Sequence, residues 1–142
     1  MKQVVWTYIG VLVLLNLAHG LLLIFAGILV IGGPYLAPNL DTAAIGGQYP
    51  MIYALSYEGL GITSILLAYL CRRGSPPAFF VSAIFGLALI VSAAIVYTFV
   101  NVSFDPLDLV ELPIDAAIVV AGFGGYSKQV NRTYPSGKGT VS

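Results

Sequence analysis

Residues 69–78, Tyr-Leu-Cys-Arg-Arg-Gly-Ser-Pro-Pro-Ala, break an otherwise apolar stretch with two arginines, a glycine, a serine and two prolines. Crossing a hydrocarbon core takes about 20 apolar residues in a helix. The runs on either side, 49–70 and 77–102, are each long enough to do so. A connection this short makes the two flanking helices antiparallel neighbours. Ser75 stands where the later helix needs its N-cap, and Pro76 fits the first helical position, where a missing N–H costs nothing. The turn therefore predicts a transmembrane helical hairpin, and its arginines label one end of it.

Two further apolar runs, 4–31 and 106–126, extend the pattern to four spans. Every basic residue lies at the end that the turn defines. Lys2 precedes the first span, Arg72 and Arg73 follow the second, and Lys128, Arg132 and Lys138 follow the fourth, while Asp41 and Asp105 are the charges of the other two connections. Cytoplasmic loops concentrate Lys and Arg, so both termini and the 71–76 turn are expected in the cytoplasm, and the 33–48 and 103–106 connections outside. The expected fold is all-α: an integral membrane four-helix bundle, up-down-up-down, multi-pass, in the plasma membrane. One transmembrane domain would occupy 1–127 and a polar cytoplasmic tail 128–142. The first run is too long for a signal peptide, whose apolar core is about 7–15 residues, and reads as a retained helix.

Composition excludes a soluble domain. Charged residues make up 8% of the 142 and mean hydropathy is +0.94, whereas globular chains carry roughly 25% charge. Pro50 is placed to open the second helix, and Asp105 to cap the fourth with Pro106 next. Aromatic residues fall into two belts: Trp6, Tyr8, Tyr69, Phe79, Phe80, Phe123 and Tyr126 at the inner ends, and Tyr35, Tyr49, Tyr53, Tyr97, Phe99 and Phe104 at the outer ends.

A net charge of zero argues against nucleic acid as a partner. Cys71 is the single cysteine and His19 the single histidine. The chain alone therefore forms no disulfide, no haem site with two histidines and no multi-histidine metal cluster. No cofactor is assigned to it alone, with a quinone or a lipid left open as ligand. A nucleophile elbow, a zinc-protease helix and a phosphate loop are missing from the sequence, and the expectation is a chain without catalytic activity of its own.

In lipid, helices associate largely through close packing of small residues. Gly20 and Gly27 on the first span, Ala54, Gly61 and Ala68 on the second, Ser82 and Gly86 on the third, and Ala117, Ala121 and Gly125 on the fourth recur at helical spacings. Packing among the four helices is the favoured use of these stripes, ahead of a surface reserved for another chain.

The polar residues inside the spans are the candidates for chemistry. An ionised group at mid-bilayer costs at least ~2.5–3.5 kcal/mol, so Glu58, Glu111 and Asp115 are expected to turn away from lipid. Glu111 and Asp115 share a helix face, as do Asn16 and His19. Pro113 leaves the carbonyl of Leu109 without its usual partner. If the first, second and fourth helices converge, His19, Glu58 and Asp115 meet in a polar pocket facing outward, with Tyr57 beside it. Three uses compete: a network that pins the helices, a proton or cation path, and a quinone or lipid site. The chain is expected to be a non-catalytic accessory or structural subunit of a larger membrane complex, in contact with the bilayer and with other membrane subunits. The alternatives are a small proton or cation channel or transporter, which as a homo-oligomer would need no internal repeats, and a quinone-binding or lipid-binding subunit.

Overall fold

The computed structural model describes residues 2–36, 50–99 and 108–133. Four helices account for these apart from the turn at 73–75: α1 (Lys2–Leu36), α2 (Pro50–Arg72), α3 (Pro76–Phe99) and α4 (Asp108–Thr133). Each contains a stretch long and apolar enough to cross a membrane, namely Val5–Gly32, Met51–Arg72, Pro76–Thr98 and Leu109–Asn131. The chain is an all-helical protein with the helices of an integral membrane protein.

Pro50 and Pro76 are the first residues of α2 and α3, and the carbonyl of Ser75 accepts the N–H of Ala78 at 3.0 Å. Asp105, Pro106, Tyr49 and Phe104 lie outside the described residues. Two i→i−3 bonds close α2, from Arg73 N–H to the Leu70 carbonyl (3.2 Å) and from Gly74 N–H to the Cys71 carbonyl (2.9 Å). Gly74 then takes a φ of 69°, a left-handed conformation that glycine adopts without steric penalty. Gln129 donates through Nε2 to the Gly74 carbonyl at 3.1 Å, tying the end of α4 to this turn. That anchor accounts for a difference from the sequence-based expectation: α4 continues to Thr133, through residues assigned to the polar tail. Helix continuation needs backbone bonds rather than apolar side chains, and Gln129 supplies a tertiary fastening.

Close packing is glycine-mediated. A Cβ on Gly20 would lie 2.7 Å from the Gly61 carbonyl oxygen, and one on Gly61 would lie 2.8 Å from that of Gly20. Gly27 faces the Ala54 carbonyl in the same way, at 3.0 Å. Numbers rise along α1 as they fall along α2, so the two helices run in opposite directions. The α3–α4 seam repeats the device: a Cβ on Gly122 would meet the Phe79 carbonyl oxygen at 2.8 Å and the Ala83 Cβ at 2.7 Å. Gly86 sits against the Asp115 carbonyl, where a Cβ would come within 3.1 Å.

Gly20, Gly27, Ala54, Gly61, Ala68, Ser82, Gly86, Ala121 and Gly125 are all buried and Ala117 is half-buried. Gly122, absent from the sequence-derived stripes, makes one of the closest approaches. Phe79 departs from its expected place in the inner aromatic belt. It is fully buried among Val5, Ile9, Leu12, Cys71, Ala78, Ile118 and Ala121, because Gly122 and Gly125 open a slot for its backbone and ring. Trp6, Tyr69, Phe80 and Phe123 remain exposed.

The α1–α2 and α3–α4 seams are the most extensive, α1 joins the two pairs through α4, and α2 meets α3 along a shorter seam than any of these. Beyond Gly86, no residue of α3 from 87 to 98 is buried.

Candidate functional site

Apart from Gln129 at the turn, the buried polar side chains of the described residues gather on one side of α1. Asn16 and His19 are three positions apart and project from the same face, into the space where α2, α3 and α4 approach. Asn16 donates through Nδ2 to the Leu12 carbonyl at 2.8 Å, one turn back on its own helix, and to Ser82 Oγ at 2.9 Å across to α3. The Ser82 hydroxyl donates in return to Asn16 Oδ1 at 3.2 Å.

His19 reaches the other two helices. Its Nδ1 lies 3.0 Å from Ser64 Oγ on α2, and its Nε2 lies 3.4 Å from Asp115 Oδ1 on α4. Asn16, His19, Ser64 and Ser82 are wholly buried, and Asp115 is 3% exposed. One polar layer thus takes a side chain from every helix. Its satisfaction is uneven. The Asn16–Ser82 pair has well-placed partners, whereas His19 Nε2 and Asp115 Oδ1 make no hydrogen bond among the described residues, and their 3.4 Å separation exceeds the usual hydrogen-bond range of about 2.7–3.2 Å.

Of the residues singled out from sequence, His19, Asp115 and Asn16 come together here. Glu58 does not join them. It is half-buried on α2, its Cγ 3.1 Å from where a Cβ of Gly27 would stand, and the Tyr57 Cβ is 3.5 Å from the same point. Gly27 is about two turns, ~12 Å, along α1 from His19, so a ligand touching Tyr57, Glu58 and His19 together would have to span that distance. Glu111 is half-buried, about one turn from Asp115 on the same face of α4. The α2 residue that meets His19 is Ser64, which is not among the candidates drawn from the sequence. A signal for it existed: Ser64 is three positions after Gly61 and four before Ala68, which puts it on the small-residue face of α2.

The order Ser64, His19, Asp115 has the composition of a nucleophile relay. With Ser64 wholly buried, its hydroxyl faces His19 and has no exposed surface at which an acyl group could be attacked. Among the described residues no three His, Cys, Asp or Glu side chains are placed to hold a metal ion. What the layer can do is fix four helices in register and hold a proton between His19 and Asp115. Comparison of the chain with protein-family models, with curated proteins and with solved structures found no match.

Proposed function

We propose that this chain is a non-catalytic accessory subunit of a larger integral membrane complex, an up-down-up-down bundle with both termini in the cytoplasm of the plasma membrane. The observation that carries the reading is the unequal use of α3. From 78 to 86 it contributes Ala78, Phe79, Ser82, Ala83 and Gly86 to the interior, yet from 87 to 98 none of its residues is buried and only Leu89, Ile90, Ala93 and Tyr97 are half-buried. Leu87, Val91, Ile95 and Val96 are exposed there, together with the small residues Ala88, Ser92 and Ala94. A helix half with no fully buried residue, next to the thin α2–α3 seam, suits a neighbouring membrane subunit.

The orientation rests on charge and anchoring. Arg72, Arg73 and Lys128 are exposed near the Gly74–Gln129 contact, and the Arg73 guanidinium lies over the Tyr69 ring, 4.6 Å from its centroid, while donating to the Tyr69 hydroxyl. A basic and aromatic cluster of this kind belongs at a membrane interface. The remaining exposed surface is rich in large apolar side chains on all four helices, including Leu14, Leu66, Ile95 and Val120, consistent with contact with lipid.

The test is native mass spectrometry of the protein extracted gently from its own membrane. Recovery with unlike subunits is the expected result, and recovery as a homo-oligomer alone would overturn the reading. The second reading, a small proton or cation conductor, draws on the meeting of His19 with Asp115. Proton or cation flux into vesicles holding only this chain, lost in Asp115→Asn, would establish it in place of the first.

A further inference from the structure

We infer that His19 and Asp115 together bind one exchangeable proton: a proton shared between Nε2 and Oδ1 joins the pair in every state, the ring gains or loses a second at Nδ1, and Ser64 is the positioning residue. The inference rests on the membrane reading but not on the accessory role. Two bare lone pairs facing each other at 3.4 Å in a buried layer repel, and neither atom has another hydrogen-bond partner among the described residues. A proton between them removes the repulsion and gives each atom a partner.

The groups facing the pair leave no other counter-charge. On α1 the neighbouring polar side chain is Asn16, neutral and engaged with Ser82. On α2 it is Ser64, and the nearest basic residue of that helix, Arg72, is ~12 Å further along. Residues 76–99 of α3 contain no charged side chain. On α4, Glu111 is acidic as well, and Lys128 is ~20 Å along the helix from Asp115. With Arg72 and Lys128 at that remove, the proton itself is the cation these helices offer to Asp115.

The chemistry balances without any co-reactant. With the proton on Asp115, the carboxyl O–H donates to bare Nε2, and the ring donates its Nδ1–H to Ser64 Oγ. Transfer of that proton to Nε2 leaves a carboxylate accepting from an imidazolium, and Ser64 still accepts from Nδ1. Release of the Nδ1 proton to water leaves a neutral ring donating through Nε2 to the carboxylate, while the Ser64 hydroxyl reverses and donates to Nδ1. A hydroxyl is both donor and acceptor, so Ser64 serves every stage of the cycle at the same 3.0 Å contact.

Because His19 is the chain's single histidine, its ring nitrogens can be followed without assignment by mutation. The experiment is solid-state nitrogen-15 NMR of the full histidine-labelled chain in phosphatidylcholine bilayers, titrated with pH, alongside infrared spectra of the carboxylic C=O stretch in water and heavy water. The expected result is a Nδ1 signal that moves from protonated to bare as pH rises, with the Nε2 signal staying protonated once the carboxylic band has gone. Asp115→Asn should abolish the coupled change, Asp115→Glu should retain it at a shifted midpoint, and Ser64→Ala should shift the midpoint. Ring signals constant across the titration in the unaltered protein would overturn the proposal, as would an unchanged titration in Asp115→Asn. The first of these outcomes needs only the unaltered protein, so a variant that does not fold leaves the test standing. Failure here, with unlike subunits still recovered by mass spectrometry, would remove the proton site and keep the accessory role.

Discussion

The seam between α1 and α2 and the far half of α3 are both built from apolar and small residues, yet one is packed to backbone contact and the other buries no residue fully. At Gly20 and Gly61 the helices approach until a single methyl group would strike a carbonyl oxygen. From 87 to 98 α3 has Ala88, Ser92 and Ala94, equally small, and none is buried. Small size permits contact and does not create it. What differs is the partner: the α1 glycines face the α2 glycine and alanine at matching seven-residue spacing, and the polar side chains Asn16, His19, Ser64, Ser82 and Asp115 fix the register that keeps them opposed. In lipid, where the hydrophobic effect does not drive helices together, this complementarity has to supply most of the attraction.

The sharpest way to break the contrast is to fill the seam. Gly20→Leu or Gly61→Leu should separate α1 from α2, since the colliding atoms include backbone oxygen that cannot rotate aside. The expected loss is about 3 kcal/mol or more, at the upper end of overpacking costs, visible as loss of the monodisperse folded species in detergent. Gly122→Leu should do comparable damage to the α3–α4 pair through the Phe79 carbonyl and Ala83.

Next comes the polar layer. His19→Leu or Asp115→Leu leaves the facing Oδ1 or Nε2 buried without its counterpart, with an expected cost of about 1–3 kcal/mol. The double replacement should cost less than the sum of the two, which a double-mutant cycle of reversible unfolding in detergent would read as coupling. If the two losses add, the pair contributes nothing to register. Smaller again is the neutral contact: Asn16→Leu with Ser82→Ala should show a coupling of about 0.6 kcal/mol, and not above ~1.7, as for other hydrogen bonds between membrane helices.

The least effect on the isolated chain is expected from α3 beyond Gly86. Leu87→Ala, Val91→Ala and Ile95→Ala should each change stability by less than about 0.5 kcal/mol, as substitutions away from packed groups do. Under the proposed function the same variants should be recovered with less of the neighbouring subunit. A large stability loss in the purified chain would mean instead that this half of α3 is packed by the chain itself.

The four helices could be read before the structure, because lipid imposes a length and an apolar composition on each helix separately. The starts at Pro50 and Pro76 and the turn at Gly74 are local chemistry, and local chemistry is written in consecutive residues. The meeting of His19 with Asp115 was within reach for a related reason: two polar groups too costly to place in lipid must face inward, and two inward faces at similar depth are apt to meet. Glu58 obeyed the first condition and not the second, since its depth on α2 matches Gly27 and not His19. Ser64 was missed because a serine inside a span can bond its own backbone, as Ser56 does to the Ile52 carbonyl and Thr63 to the Gly59 carbonyl. Only its rotational position separates it from those. Phe79 was misplaced because its neighbourhood depends on the void at Gly122 and Gly125, more than 40 residues later in the chain, and no rule applied to one helix sees a cavity made by another.

The Gln129–Gly74 bond has a consequence for synthesis. It joins the turn at 73–75 to a residue made 55 positions later. The first hairpin has its glycine seam and the His19–Ser64 contact available as soon as α2 has emerged, but Asn16 waits for α3, and His19 waits further for Asp115. At about 5–20 residues per second, α1 holds two incompletely partnered polar groups in the membrane for some seconds. During that interval the half-made chain offers them to whatever helix stands nearby, and the arrival of Gln129 at Gly74 closes the opportunity.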